Sequence, residues 1–253
     1  MTTITHPTIE AARTEIDAER EILVTEREAF QSLVRRVSEV TVETPQMTAG
    51  TGTAVVATTP IQAPSAGLQE IRTAYRETVM AVPHYESEYG ESLRENLRVE
   101  VGASLAEQIL DGDALTRPVH DAFLGAARRA MDERRRVQQY VDRERDSLRR
   151  FEAELTEIES AVVEIGTERT SASGTQALAS LDDRLATLES RCADLAKERQ
   201  QRVHDRPETD YDRIDGLGVF EYLYADLETT TPVLSAIASC LATIRHHRRR
   251  CLR

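Results

Sequence analysis

Apolar residues recur at alternating spacings of three and four along three separate segments of this chain, the repeat that two supercoiled helices bury between them. The longest segment runs from about Phe123 to Ile165. One of its registers is Ala127, Arg134, Val141, Leu148, Leu155 and Val162; the other is Phe123, Ala130, Val137, Glu144, Phe151, Ile158 and Ile165. A first segment begins near Thr8, just after Pro7, with the seam Ile9, Ala12, Ile16, Glu19, Leu23, Glu26, Phe30, Leu33, Val37 and Val40. A third reads Leu178, Leu181, Leu185, Leu188, Cys192 and Leu195. At 1.5 Å per residue the first predicts a helix of about 50 Å, and the long one, from about Pro118, a helix of about 70 Å. Carboxylates are costly in an apolar seam. Glu19 and Glu26 are therefore expected at a splayed or solvated part of it, or facing Arg134 or another arginine.

Breaks in this pattern divide the chain into five parts: a heptad helix over 1–40, a linker over 41–67, a short-helix block over 68–117, a long antiparallel hairpin over 118–205 and C-terminal helices over 206–253. The linker carries no charge after Glu43 and is dense in Thr, Ala, Gly and Pro, a composition that resists a packed core. A transient strand over Ala54–Ala57 is bracketed by Pro45, Pro60 and Pro64 and has no partner nearby. In the block, Leu68, Ile71, Tyr75, Val79 and Val82 share one helix face, and Pro83 ends that run. After the turn at Asp111, Gly112 and Asp113, Thr116 is placed to cap the long helix with Pro118 in its first turn. The segment GTERTSASGT, 166–175, predicts the loop that lets the third heptad fold back. A short helix around Val219 to Leu227 and a last one after Pro232 complete the expectation: an all-α, elongated helical bundle with a long antiparallel coiled-coil hairpin and short helices.

Charge then says where such a bundle works. Lys197 is the only lysine among 32 basic residues, set against 44 acids for a net charge of −12. Surface carboxylates hold their hydration shell in concentrated salt better than lysine ammonium groups do, so this balance reads as halophilic; a high-GC genome also replaces Lys by Arg but leaves the acid excess unexplained. The three cysteines, Cys192, Cys240 and Cys251, have no framework spacing and suggest reduced thiols. The opening MTTITHPTIEAARTE lacks a basic region followed by an apolar core, and no run reaches the roughly 18 apolar residues of a membrane span. A soluble, cytoplasmic protein is expected. With aromatic residues at 4% and no Trp, long helix pairing suits the chain better than a deep globular core.

The block AYRETVMAVPHYESEYGESL, 74–93, together with HPTIEAARTEIDAERE at the start and TTTPVLSAIASCLATIRHHRRRCLR at the end, resembles a family of uncharacterised haloarchaeal proteins of unknown function. The RETVMAVPHYE run carries most of the specificity. The resemblance implies the saline habitat and the helical fold, and brings no catalytic residue with it.

Candidate chemistry is sparse. No phosphate loop, nucleophile elbow, paired metal-binding histidines on a helix or dinucleotide fingerprint occurs, so no catalytic residue, cofactor or metal is assigned. His84, Tyr85, Glu86, Glu88 and Tyr89 form the densest polar cluster, and Tyr75 on the preceding helix joins it in the elbow and in the candidate interaction surface. Its plain reading is an elbow whose tyrosine rings fill a helix junction; its functional reading is an interaction surface, or an enzyme site using His84 with Glu86 or Glu88. Asp210, Asp212, Asp215 and Gly216 fail the calcium-loop pattern, with Ile214 and Asp215 where an oxygen ligand and Gly belong. Cys240, His246, His247 and Cys251 lack zinc-site spacing. The tail arginines, Arg245, Arg248, Arg249 and Arg250, form either the cationic end of a docked helix, where they oppose its macrodipole, or a contact to nucleic acid or a membrane surface. The expectation is a non-enzymatic scaffold that binds protein, or itself as a homo-oligomer, through heptad or elbow surfaces; the alternative is a nucleic-acid-associated regulator using the C-terminal arginines.

Overall fold

The computed structural model describes residues 4–42, 65–204, 213–214, 217–218 and 222–251. Its architecture is all-α. Helix α1 spans Pro7–Ser38, Pro7 occupying the first turn, where a missing N–H costs nothing. Helix α2 spans Ala66–Thr78 and runs into a 3₁₀ turn over Val79–Ala81. Short helices follow at Tyr85–Glu88 (α3), Leu93–Val101 (α4) and Ala103–Asp111 (α5). The long helix α6 covers Arg117–Ser171, α7 covers Thr175–His204 and α8 covers Pro232–Cys251.

These residues form two compact units, Glu21–Gln139 on the one hand and Met1–Arg20 with Tyr140–Arg253 on the other. In the first, α1 contributes Phe30, Leu33 and Val37, α2 contributes Leu68, Ile71 and Tyr75, and α6 contributes Phe123 and Ala127 to one core, with Leu97, Ile109 and Leu115 between them. Here α1 lies antiparallel to α6: Arg27 donates to Gln138 at 2.8 Å, and His120 Nε2 donates to the Val37 carbonyl at 2.9 Å. Ser65 ties the start of the block together, its Oγ accepting from the backbone N–H of Leu68 at 3.3 Å and of Leu115 at 3.2 Å. Ser92 and Glu95 close a reciprocal capping box on α4.

In the second unit α6 and α7 form an antiparallel pair, with Leu148, Phe151, Leu155, Ile158 and Val162 facing Leu181, Leu185, Leu188, Cys192 and Leu195, all buried. Ion pairs mark the register: Arg199 with Glu144, Arg191 with Glu154 and Glu157, Arg184 with Glu168. The start of α1 lies along the same stretch of α6, through Arg13 to Glu152 and Arg145 to Asp17 at 2.6 Å each. Helix α8 packs on α7 through Val233, Ala236, Ile237, Cys240 and Ile244.

Several boundaries differ from those expected. Helix α6 continues six residues past Ile165, so the connection to α7 is only Ala172–Gly174, with Gly174 at φ 96°. Gly166 stays helical because the space beside it is filled by a neighbour: a Cβ there would lie 2.9 Å from Cε1 of His247. Helix α2 starts at Ala66 rather than Leu68, because Ser65 is its cap. A two-residue antiparallel pairing, Arg213–Ile214 with Leu217–Gly218, stands in the acidic segment expected as loop. Asp210, Asp212, Asp215 and Gly216 lie outside the described residues, as do Ala54–Ala57 and most of the linker. Of the helix expected around Val219 to Leu227, residues 222 and 223 are helical and turns follow.

Candidate functional site

The elbow is built by backbone constraints acting in succession. Val82, which precedes Pro83, is extended at φ −65° and ψ 144°, as a residue before proline must be. The chain then coils once through α3, and Gly90, at φ 56°, turns it out while its N–H donates to the Tyr85 carbonyl at 3.0 Å. This turn lays His84 and Tyr89 over Glu26 of α1.

Glu26 is buried, and both of its carboxylate oxygens are engaged. Oε1 accepts from the Tyr89 hydroxyl at 2.5 Å and lies 3.3 Å from His84 Nε2; Oε2 accepts from Arg134 Nε at 3.0 Å. The Arg134 fork grips Glu100 with both terminal nitrogens, at 3.0 and 2.6 Å, and its guanidinium lies over the Phe30 ring at 4.5 Å. A second chain of bonds runs beside it: Tyr75 to Asn96 at 2.7 Å, Asn96 to Glu91 at 2.9 Å, and Tyr85 to the Glu91 carbonyl at 3.1 Å. The space enclosed is about 10 Å³, on the order of a single water.

The electrostatics follow from burial. Burial pushes the Tyr75 hydroxyl well above the usual phenol range, Glu100 adding to it. Tyr89 rises for the same reason and because it donates to Glu26. Tyr85 also rises, through burial and the neighbouring Glu91. For Arg134, burial works against the charge, but Glu100 and Glu26 more than compensate and raise its pKa. Neutral phenols and a permanently charged guanidinium therefore hold the carboxylates in place.

Of the residues expected at this surface, Tyr75, His84, Tyr85 and Tyr89 come together, whereas Glu86 points to solvent along with Glu88. Tyr75 and Tyr85 are interior, while Tyr89 as a whole residue is 41% exposed even though its hydroxyl is anchored. The tail arginines divide as well. Arg248 pairs with Asp182 at 2.9 Å and with Glu189 at 2.7 Å, and Arg245 pairs with Glu189 at 2.7 Å. These hydrogen bonds hold both acids below the ordinary carboxylate range. Arg249 and Arg250 are exposed.

A second buried network went unread in the sequence. Arg199 grips Glu144 through two bonds, at 3.0 and 2.6 Å, and also reaches Ser147 at 3.3 Å, while the Tyr224 hydroxyl donates to Glu144 at 2.5 Å. Its signal was present, since Arg199 lies four residues beyond Leu195 on the α7 heptad and Glu144 lies on the α6 heptad. Cys240, considered with His246 and His247, instead meets Cys192, their sulfurs 3.7 Å apart. Among the described residues no group of three or more His, Cys, Asp or Glu side chains is placed to hold a metal ion, and no helix is long and apolar enough to cross a membrane.

A family model for a domain of unknown function, DUF7260, matches residues 7–248. The chain belongs to the DUF7260 family. The match takes in the elbow, both buried networks and all but the last turn of α8. No curated protein and no solved structure matches the chain.

Proposed function

We propose that this DUF7260 chain is a non-enzymatic helical interaction protein that engages a protein partner through the elbow at residues 84–89. The observation that carries this reading is Tyr89, a partly exposed aromatic residue whose hydroxyl is fixed on buried Glu26. A large, rigid, amphipathic ring of this kind gains contact area at little entropic cost. Exposed Glu86 and Glu88 beside it favour a basic partner surface. The heptad seams, by contrast, are filled within the chain, from Ile9 and Ile16 to Leu155 and Leu185, each at 0% exposure, which favours the elbow over the seams as the partner surface. The polar groups of the elbow are bonded to one another around a space too small for a substrate, which supports a structural and recognition role. The lysine-poor, acid-rich composition favours a salt-filled cytoplasm as the setting.

Affinity purification of the tagged chain in multimolar salt, with and without nuclease, tests this against a variant carrying Glu86→Arg, Glu88→Arg and Tyr89→Ala. A nuclease-resistant protein partner that the variant loses is the expected result; an unchanged partner set refutes the elbow. A second reading, a regulator that touches nucleic acid, draws on exposed Arg249 and Arg250. It requires nucleic acid to copurify and to be lost on Arg249→Ala and Arg250→Ala.

A further inference from the structure

The two thiols at the α7–α8 contact have a geometry that ordinary core packing does not require. Cys192 stands on the α7 heptad at 0% exposure and Cys240 on the inner face of α8 at 1%, with their sulfurs 3.7 Å apart and one donating to the other. Small rotations of the two side chains bring such a pair toward the bond length of about 2 Å. We propose that Cys192 and Cys240 are an oxidative cross-linking site, at which a hydroperoxide converts the two thiols into an intrachain disulfide that locks α8 onto α7. The Cys192 thiolate attacks one oxygen of the peroxide, forming a sulfenic acid and releasing hydroxide. Cys240 then attacks the Cys192 sulfur, displacing a second hydroxide and giving up its proton. Two thiols and one hydrogen peroxide thus yield one disulfide and two waters, the peroxide accepting both electrons.

The order of attack follows from the hydrogen bond. The contact between the two sulfurs holds the Cys192 thiol below the usual range, and the same contact together with burial pushes Cys240 above that range. Thiolate character is what makes a thiol react with peroxide. A small oxidant is required because both sulfurs are buried, which disfavours a bulky disulfide donor. The bond would span residues 48 apart and make the docking of α8 independent of the ion pairs that Arg245 and Arg248 form with α7, which salt screens. Cys251, buried near the end of α8, stands outside the pair.

The test uses the full chain, reduced and then exposed to hydrogen peroxide, with thiols counted after denaturation. Three thiols should fall to one, peptide mapping should link Cys192 to Cys240, and reductant should restore all three. The Cys251→Ala variant should behave like the parent, falling from two thiols to none, while Cys192→Ala should form no intrachain bond. The oxidised form should melt higher than the reduced form and show slower amide exchange along α8. Retention of three thiols, conversion of Cys192 to a sulfinic acid, or intermolecular dimers through Cys251 would each overturn the proposal.

Discussion

Replacing Arg134 by Ala would strip buried Glu26 and partly buried Glu100 of the guanidinium they share, while the transfer of the side chain itself is a minor effect. Breaking a buried pair by removing one partner typically costs about 3–5 kcal/mol, and here one removal exposes two acids to each other. Denaturant unfolding of Arg134→Ala should show a loss of that order, and a loss below about 1 kcal/mol would contradict the network. Facing Arg134 was one of the alternatives the heptad registers left open for Glu26; a splayed or solvated seam was another, and the burial of Glu26 rules it out there. The part of Glu100 was not legible, because it lies near the end of α4, and the path by which the short helices return to α6 leaves no local pattern. The tyrosines offer a second measurement. Tyr75, Tyr89 and Tyr224 have folded-state pKa values raised above 10.0, chiefly by burial, so the native state holds their protons more tightly than the unfolded chain does. Their contribution to stability is full below about pH 10 and falls as pH rises beyond it. An alkaline titration should show these tyrosinates appearing together with the loss of helical circular dichroism; ionisation of all three near pH 10 with the helices intact would be inconsistent with the buried hydrogen bonds.

At the scale of the elements, the seams of α1, α6 and α7 stand where the periodicity placed them, since burial of one stripe is what a helix needs from its neighbours. Leu155 is fully buried between helices. Leu155→Asp should therefore lower the unfolding free energy by roughly 3–5 kcal/mol, and unchanged melting would mean the register is wrong. Where the elements departed from expectation, tertiary contact decided. Glycine and a Ser/Thr-rich run normally signal a loop, yet α6 persists through Gly166 to Ser171 because the His247 ring covers the glycine and Arg184 pairs with Glu168 across the next turn. Neither neighbour is near in sequence, so local propensity could not have revealed them. The cationic end of α8 was legible as a docked helix with a compensated dipole. Its specific partners on α7, Asp182 and Glu189, were not, because most acids of this chain serve solvent.

For the whole molecule, the balance to weigh is a net charge of −12 against many contact ion pairs. Repulsion among excess carboxylates acts over the distances between surface groups and destabilises the compact state. Salt shortens the Debye length from about 10 Å at 0.1 M to about 3 Å at 1 M. The ion pairs close at distances such as 2.6 Å for Arg20–Asp142 and 3.6 Å for Arg98–Glu107, comparable to the shorter of those lengths, and the Arg134 and Arg199 pairs are also shielded by burial. Screening therefore removes the repulsion more completely than it removes the attraction, and exposed pairs are worth only about 0.2–1 kcal/mol each to begin with. The melting temperature should rise between 0.1 and 1 M KCl by about 5 °C, the shift that one to two kcal/mol produces in a chain of this size. A steady fall across that range would mean that surface ion pairs dominate the stability of this fold and that its acidity is no adaptation to salt.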